Sequence, residues 1–294
     1  MTRSAATLPL QSSYNRTAML PTLSQVCSLP SPLEQDVADY AAGQCRHLEI
    51  WLTKLEEFLK TNSVDDVRWL LEKHGVAATV AAGQGGLLDS QGDKLAAHWD
   101  HFQRRLEICR DVGVKTIVVA CDIAAPLGQQ TIDRAIVSLA QAGDAAAEFG
   151  LSIALEFQRQ ATFGNNLQTA LAMAAQTERP NVGVCLDAFH FFVGPSKLAD
   201  LAHVNAGNLL HVQLCDVAGV ARELASDSDR ILPGDGDFEI GPLVERLRQI
   251  NYDGCVSVEV MNPRLWQAPP RQFGEIALTA LRRALGLASM EAGQ

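Results

Sequence analysis

The chain has 294 residues, of which 47% are hydrophobic and 20% charged. That balance supplies a full buried core and excludes a disordered or collagen-like chain. With 34 acidic against 24 basic residues the net charge is −10, which argues against nucleic acid as a partner, because phosphate backbones reward clustered Lys and Arg.

Residues 1–17 are rich in Ser and Thr and hold arginines but no acid. Transit peptides share that composition, but a floppy terminus explains it more simply, so 1–17 is set apart as a disordered tail. Beyond it, short β-branched runs alternate with longer helical patterns. Candidate strands are Met19–Cys27, His47–Leu52, Val76–Ala82, Thr116–Asp122, Ser152–Phe157, Val182–Asp187, Leu209–Asp216 and Cys255–Val260. Helical periodicity falls over Pro32–Gly43, Val64–His74, Lys94–Val112, Gln129–Phe149, Leu167–Arg179, Pro195–Asn205, Ile240–Ile250 and Arg271–Leu285. Eight βα units favour a parallel sheet, and no Pro/Gly/Ser linker divides the chain, so 18–294 reads as a single α/β domain. The seven cysteines (Cys27, Cys45, Cys109, Cys121, Cys185, Cys215 and Cys255) are odd in number and form no CxxC pair. Neither a disulfide framework nor a zinc knuckle is expected, and the chain reads as reduced and cytoplasmic. No run reaches the ~18 apolar residues of a membrane span, so no membrane partner is expected.

The strands decide between a closed barrel and an open doubly wound sheet. One parity holds Ser152, Ala154 and Glu156; Gly183, Cys185 and Asp187; His211, Gln213 and Cys215; and Cys255, Ser257 and Glu259. The other holds only large apolar residues, such as Ile153, Val184, Leu210 and Val258. A greasy outer face suits packing under helices, and a small, polar inner face suits a crowded lumen. A Rossmann sheet tends to be apolar on both faces and opens with GxGxxG, which is missing here. Gly83-Gln84-Gly85-Gly86 follows the third strand and reads as a flexible loop. The expected fold is a (βα)8 TIM barrel.

In such a barrel, functional residues project from the C-terminal ends of strands. Glu156, Asp187, Gln213 and Glu259 lie there on the inward parity, with no Lys or Arg on their strands. Singly, such an acid caps a helix or pairs with a loop lysine as readily as it binds a ligand. Together they point to one divalent metal ion that relieves their repulsion. The hard oxygen set favours Mn²⁺ or Mg²⁺, with Co²⁺ or Zn²⁺ as alternatives. His190 faces the mouth, whereas His211 sits one layer deeper, as a packed histidine or a supporting partner of the ligands. Arg230 either holds a substrate oxygen or lies on a loop surface. Glu49 and Asp122 also end strands, and Arg264 and Trp266 are placed to line the rim.

The order Glu156, Leu186-Asp187-Ala188-Phe189-His190, His211-Val212-Gln213-Leu214-Cys215-Asp216, Pro233-Gly234-Asp235-Gly236 and Ser257-Val258-Glu259 resembles the xylose isomerase-like barrel superfamily. The likeness covers roughly 18 to 288 and is most specific over 150–262. By this resemblance Glu156, Asp187, Gln213 and Glu259 take the metal positions, His190 the histidine near the substrate, and Arg230 the arginine before the Pro-Gly-x-Gly turn. Epimerases of the group usually carry His where this chain has Gln213. Glutamine there looks like the 3-dehydroshikimate dehydratase branch, although Asp229 replaces a histidine before Arg230, and Asn262-Pro263-Arg264-Leu265-Trp266 departs from that branch's ending.

The expected activity is a metal-dependent isomerase or epimerase acting on a small sugar, sugar phosphate or keto-sugar through a metal-stabilised enediolate. Glu156 and Glu259 move the proton, His190 assists, and Arg230, His190, Glu49, Arg264 and Trp266 bind the small polyhydroxy substrate. The alternatives are a lyase of the 3-dehydroshikimate or inosose dehydratase type, and a non-catalytic sugar-binding barrel. A homodimer or homotetramer is the expected assembly.

Overall fold

The alternation along the strands closes into a barrel in the computed structural model, which describes residues 19–287; the tail expected over 1–17 lies outside the described residues. The strands are β1 (Leu20–Ser24), β2 (His47–Trp51), β3 (Ala77–Gln84), β4 (Thr116–Ala120), β5 (Ser152–Glu156), β6 (Val182–Asp187), β7 (Leu209–Leu214) and β8 (Cys255–Val258). They pair in parallel in chain order, and β8 returns to β1 from Leu20–Cys255 to Leu23–Val258. The helices are α1 (Leu33–Ala42), α2 (Leu52–Leu59), α3 (Val64–His74), α4 (Gly92–Val112), α5 (Gln129–Glu148), α6 (Leu167–Gln176), α7 (Ala188–Val193), α8 (Ile240–Gln249) and α9 (Pro270–Ala284). This is a single-domain (βα)8 TIM barrel. No helix among the described residues is long and apolar enough to cross a membrane.

The two parities separate two cores. Outward residues such as Ile153, Leu155, Val184, Val212 and Val256 are fully buried under the helices. Inside the barrel, Val80, Ala82, Val118, Ala154, Cys185 and Cys255 form a smaller cluster with Leu20, Trp51 and Leu210. Leu210 corrects the parity read from sequence. Where β6 meets β7, Val184 pairs with Leu209 and Cys185 with His211, so Leu210 is an extra, bulged residue. It turns inward over Gly183, where a Cβ would stand 2.8 Å from Leu210 Cγ.

The Gly83–Gly86 run differs from the flexible loop expected of it. β3 continues to Gln84, and Gly83 adopts φ +100° under the Trp51 ring, 3.0 Å from where a Cβ would be. Arg105 Nη1 donates to Gly83 O and Gln84 Oε1, and the Gly86 amide donates to Asp122 Oδ2 at 2.5 Å. Asp122 thus holds this segment from outside. Two helices escape the periodicity reading: α2 follows β2 without a loop, and α7 is six apolar or aromatic residues long. The helix expected over 195–205 is only a 3-10 turn, Leu198–His203, in the connection to β7.

Candidate active site

The chemistry-bearing residues enter at the C-terminal mouth. Glu156 ends β5 and Asp187 ends β6; Gln213 is one residue from the end of β7, and Glu259 follows β8 directly. Asp187 has two tasks. Its Oδ1 accepts the backbone N–H groups of Phe189 (2.5 Å) and His190 (3.1 Å), capping α7, and its Oδ2 accepts from Arg230 Nη1 at 2.7 Å. The cap fixes the first turn of α7 and so places His190 in the wall of the mouth.

A cavity of about 350 Å³ opens here, lined by Trp51, Gly83, Gln84, Glu156, Gln158, His190, Gln213, Asp227, Arg230, Glu259 and Met261, among others. That volume suits a small ligand. Arg230 is its counter-ion. Nη1 bridges Asp187 and Glu259 Oε2 (3.0 Å), Nε reaches Asp227 Oδ1 at 2.9 Å, and the guanidinium stacks on Phe189, 4.4 Å from the ring centre. Only 2% of Arg230 is exposed, so it is no loop-surface arginine; Asn262 Nδ2 donates to its carbonyl and anchors the loop.

Beneath the cavity lies a second layer. Glu49 accepts from Ser24 Oγ (2.8 Å), His211 Nε2 (2.6 Å) and Gln213 Nε2 (3.0 Å). Gln213 Nε2 also donates to Glu259 Oε1 at 3.0 Å, while its Oε1 accepts the Cys185 thiol. The amide therefore joins the two layers by offering its N–H groups to two carboxylates at once.

These carboxyls do not share one electrostatic state. Burial, with Asp187 alongside, lifts Glu156 to about 8, and burial lifts Glu259 well above the usual carboxylate range despite Arg230. Burial also acts on Asp187, but the Arg230 guanidinium and its hydrogen bond more than offset it and hold that carboxyl below the usual range. Glu49 is likewise held low, by His211 and its hydrogen bonds against the effect of burial. Burial lowers His190, which keeps its ring neutral.

Two observations test the fit of a divalent cation. Oxygens of Glu156 and Asp187 and a ring nitrogen of His190 all lie within 4.8 Å of one another. In addition, Arg230 is met by three carboxyls, Asp187, Asp227 and Glu259, and Glu156 finds only the neutral Gln158 amide. This cluster holds more acidic groups than one guanidinium balances, which keeps Glu156 and Glu259 hard to ionise, and one cation beside them would relieve that, so the residues fit.

The placement of the expected residues is uneven. Glu156, Asp187 and His190 come together; Glu259 and Gln213 are joined to each other, and Glu259 to Arg230. Glu49 lies under the cavity floor, fully buried, rather than in its wall. Arg264 is exposed, and Trp266 donates its indole N–H to Val26 O; neither lines the cavity. Sequence reasoning passed over Gln158 and Trp51, although each lies two residues after a named strand-end acid, Glu156 and Glu49, on the same parity.

Known proteins resemble this chain. The inosose isomerase of Bacillus velezensis is 26% identical over 243 residues, covering 81% of this chain and 86% of that protein. The 3-dehydroshikimate dehydratase of Pseudomonas putida is 24% identical over 86% of this chain, which spans only 40% of that longer protein. The crystal structure of the IOLI protein with a binding zinc atom superposes with a TM-score of 0.86 at 23% identity, over 91% of this chain and 98% of that one. Residues 42–283 match the family described as Xylose isomerase-like TIM barrel, and the chain belongs to that family.

Proposed function

We propose that the protein is a divalent-metal-dependent isomerase or epimerase of a small polyhydroxylated ketone. One observation carries the reading: buried carboxyls from β5 and the end of β8 line a cavity of about 350 Å³, and a guanidinium in its wall ties the buried Asp187 of β6 to them. A binding module has little reason to bear that desolvation. The relatives support the substrate class, since they include inosose isomerases and a 3-dehydro-D-guloside 4-epimerase.

Glu156, Asp187, Gln213 and Glu259 are the proposed metal ligands, with His190 close enough to join them. A divalent cation supplies Lewis acidity at a ketone oxygen and its neighbouring hydroxyl, and so acidifies the C–H between them. Glu156 and Glu259 then act as the base and acid, one carboxylate oxygen taking the proton and the other carboxyl returning one. Gln158 steadies Glu156 through its amide N–H, and Arg230 fixes Glu259. Neutral His190 binds a hydroxyl, and the Trp51 ring, packed on Gly83, offers a flat wall that excludes water.

A lyase is the second reading, favoured by Gln213 and by the dehydratase relatives. Here His190 would serve a departing β-hydroxyl. Turnover of keto-sugars and cyclitol ketones in D₂O separates the two. The expected product keeps its formula and carries deuterium beside the carbonyl; a product lighter by one water, with new ultraviolet absorbance, establishes the lyase instead. Full activity in metal-stripped protein would overturn both.

A further inference from the structure

Beside the cavity, on the other side of His190, lies a cleft of about 320 Å³ lined by Arg159, Val193, Gly194, Pro195, Arg222 and Glu223. Its two arginines meet at Gly194. Arg222 Nη2 donates to the Gly194 carbonyl, and a Cβ on Gly194 would stand 3.4 Å from Arg159 Cβ. Arg159 Nη2 donates to Ala225 O, and its guanidinium lies 5.5 Å from the Phe189 ring centre. Neither arginine has a carboxylate partner among the described residues, and the buried Nε of Arg159 has no acceptor at all.

Other arginines show what such a side chain does when an acid is in reach. Arg105 and Arg179 each grip an acid through two nitrogens, Glu56 and Asp144 respectively. A chain of net charge −10 has acids to spare, yet two arginines line one cleft with most of their donors unused. Each offers a planar fork that matches a carboxylate or phosphate, and their mutual repulsion falls when an anion sits between them. Glu223 lines the same cleft without pairing to either, so it opposes an incoming anion.

We propose that Arg159 and Arg222 form a binding site for an oxyanion, phosphate or carboxylate, at the edge of the active site. The anion is either an acidic group carried by the substrate or a free inorganic ion. The first source rests on the function proposed above: the Arg159 amide is 3.5 Å from His190 Nδ1, and His190 lines the active-site cavity.

The test titrates inorganic phosphate, and separately acetate, into the purified full-length protein by calorimetry at low ionic strength. One site per chain is expected for at least one of them. Its affinity should fall about tenfold or more in Arg159→Gln and in Arg222→Gln, and rise in Glu223→Gln. Arg222 is exposed, so its variant still reports if Arg159→Gln fails to fold. No binding of either anion, or unchanged affinity in Arg222→Gln, overturns the proposal. Glu156→Gln should leave phosphate affinity intact, so failure of the metal mechanism is visible separately, as lost activity with the anion still bound. Xylitol 5-phosphate identifies the source. Binding at least tenfold tighter than phosphate, with the advantage lost in Glu156→Gln, marks the substrate's own group, whereas equal affinities mark a free anion.

Discussion

Two groups of buried charge sit at the mouth of this barrel, and they are balanced in opposite ways. Beside β1, Lys54 Nζ donates to Asp36 Oδ2 at 2.5 Å and to the carbonyls of Gln25 (3.0 Å) and Ser28 (2.7 Å). Asp36 also accepts from Ser28 Oγ and Gln25 Nε2. Each charge there meets its opposite and both carboxylate oxygens have a donor, which closes the group to anything else. Across the mouth, Asp187, Glu259 and Asp227 share Arg230, and Glu156 has no charged partner in hydrogen-bond reach. A closed pair is costly only when one partner is removed, whereas an open group of acids is strained until a ligand arrives, and that is the mark of a functional site.

Mutation of the open group should show the largest effect, and it should fall on activity. Glu156→Gln or Glu259→Gln is expected to lower turnover by about 10²–10⁴-fold, while the melting temperature of the metal-free protein stays level or rises because one unbalanced acid is gone. A lowered melting temperature with intact turnover would mean that the open group is structural after all.

The closed pair should behave in the reverse sense. Lys54→Met strands a buried carboxylate and is expected to cost about 3–5 kcal/mol of stability in denaturant melts, with bound metal unchanged. A smaller and subtler signature is its pH dependence. Burial lifts Asp36 from its ordinary 3.8 to about 6. Between those values the folded state keeps a proton that the unfolded chain has released, so stability falls as pH rises through that window. Asp36→Asn should flatten the slope; a slope that survives the substitution assigns it to another group.

The fold was largely legible because its signal is periodic. Parity separated the strands' two faces, and eight βα repeats needed no long-range information. What escaped was set by packing. Leu210 reads as an outward residue until the β6–β7 bulge turns it over Gly183, and α7 has no apolar stripe because Asp187 caps it from the strand end and the barrel mouth buries it. The site was legible where a strand end fixes the side chain, as for Glu156 and Asp187, and where a motif fixes the loop, as for Arg230. Trp266 and Arg264 were misplaced because nothing local says whether a loop turns toward a cavity, and Gln158 was missed because an amide one strand step past an acid carries no charge signal of its own.

Gln213 is where the two kinds of group touch, and it yields the most discriminating of the small effects. Its amide N–H groups lie 3.0 Å from both Glu49, which His211 pairs, and Glu259 in the open group. If it also serves as a metal ligand, imidazole can replace it, because a ring nitrogen and an amide oxygen each fill one coordination position while the second nitrogen keeps a hydrogen bond to one carboxylate. Gln213→His is therefore expected to retain about one divalent ion per chain, with a stability cost of about 1 kcal/mol for the single hydrogen bond lost. Gln213→Ala should lower metal affinity, since it removes the ligand and leaves both carboxylates without their shared donor. Metal content after dialysis and denaturant melts of both variants decide the point. If Gln213→Ala costs stability but leaves metal affinity unchanged, the amide is only the seam between the layers, and the ion rests on Glu156, Asp187 and His190.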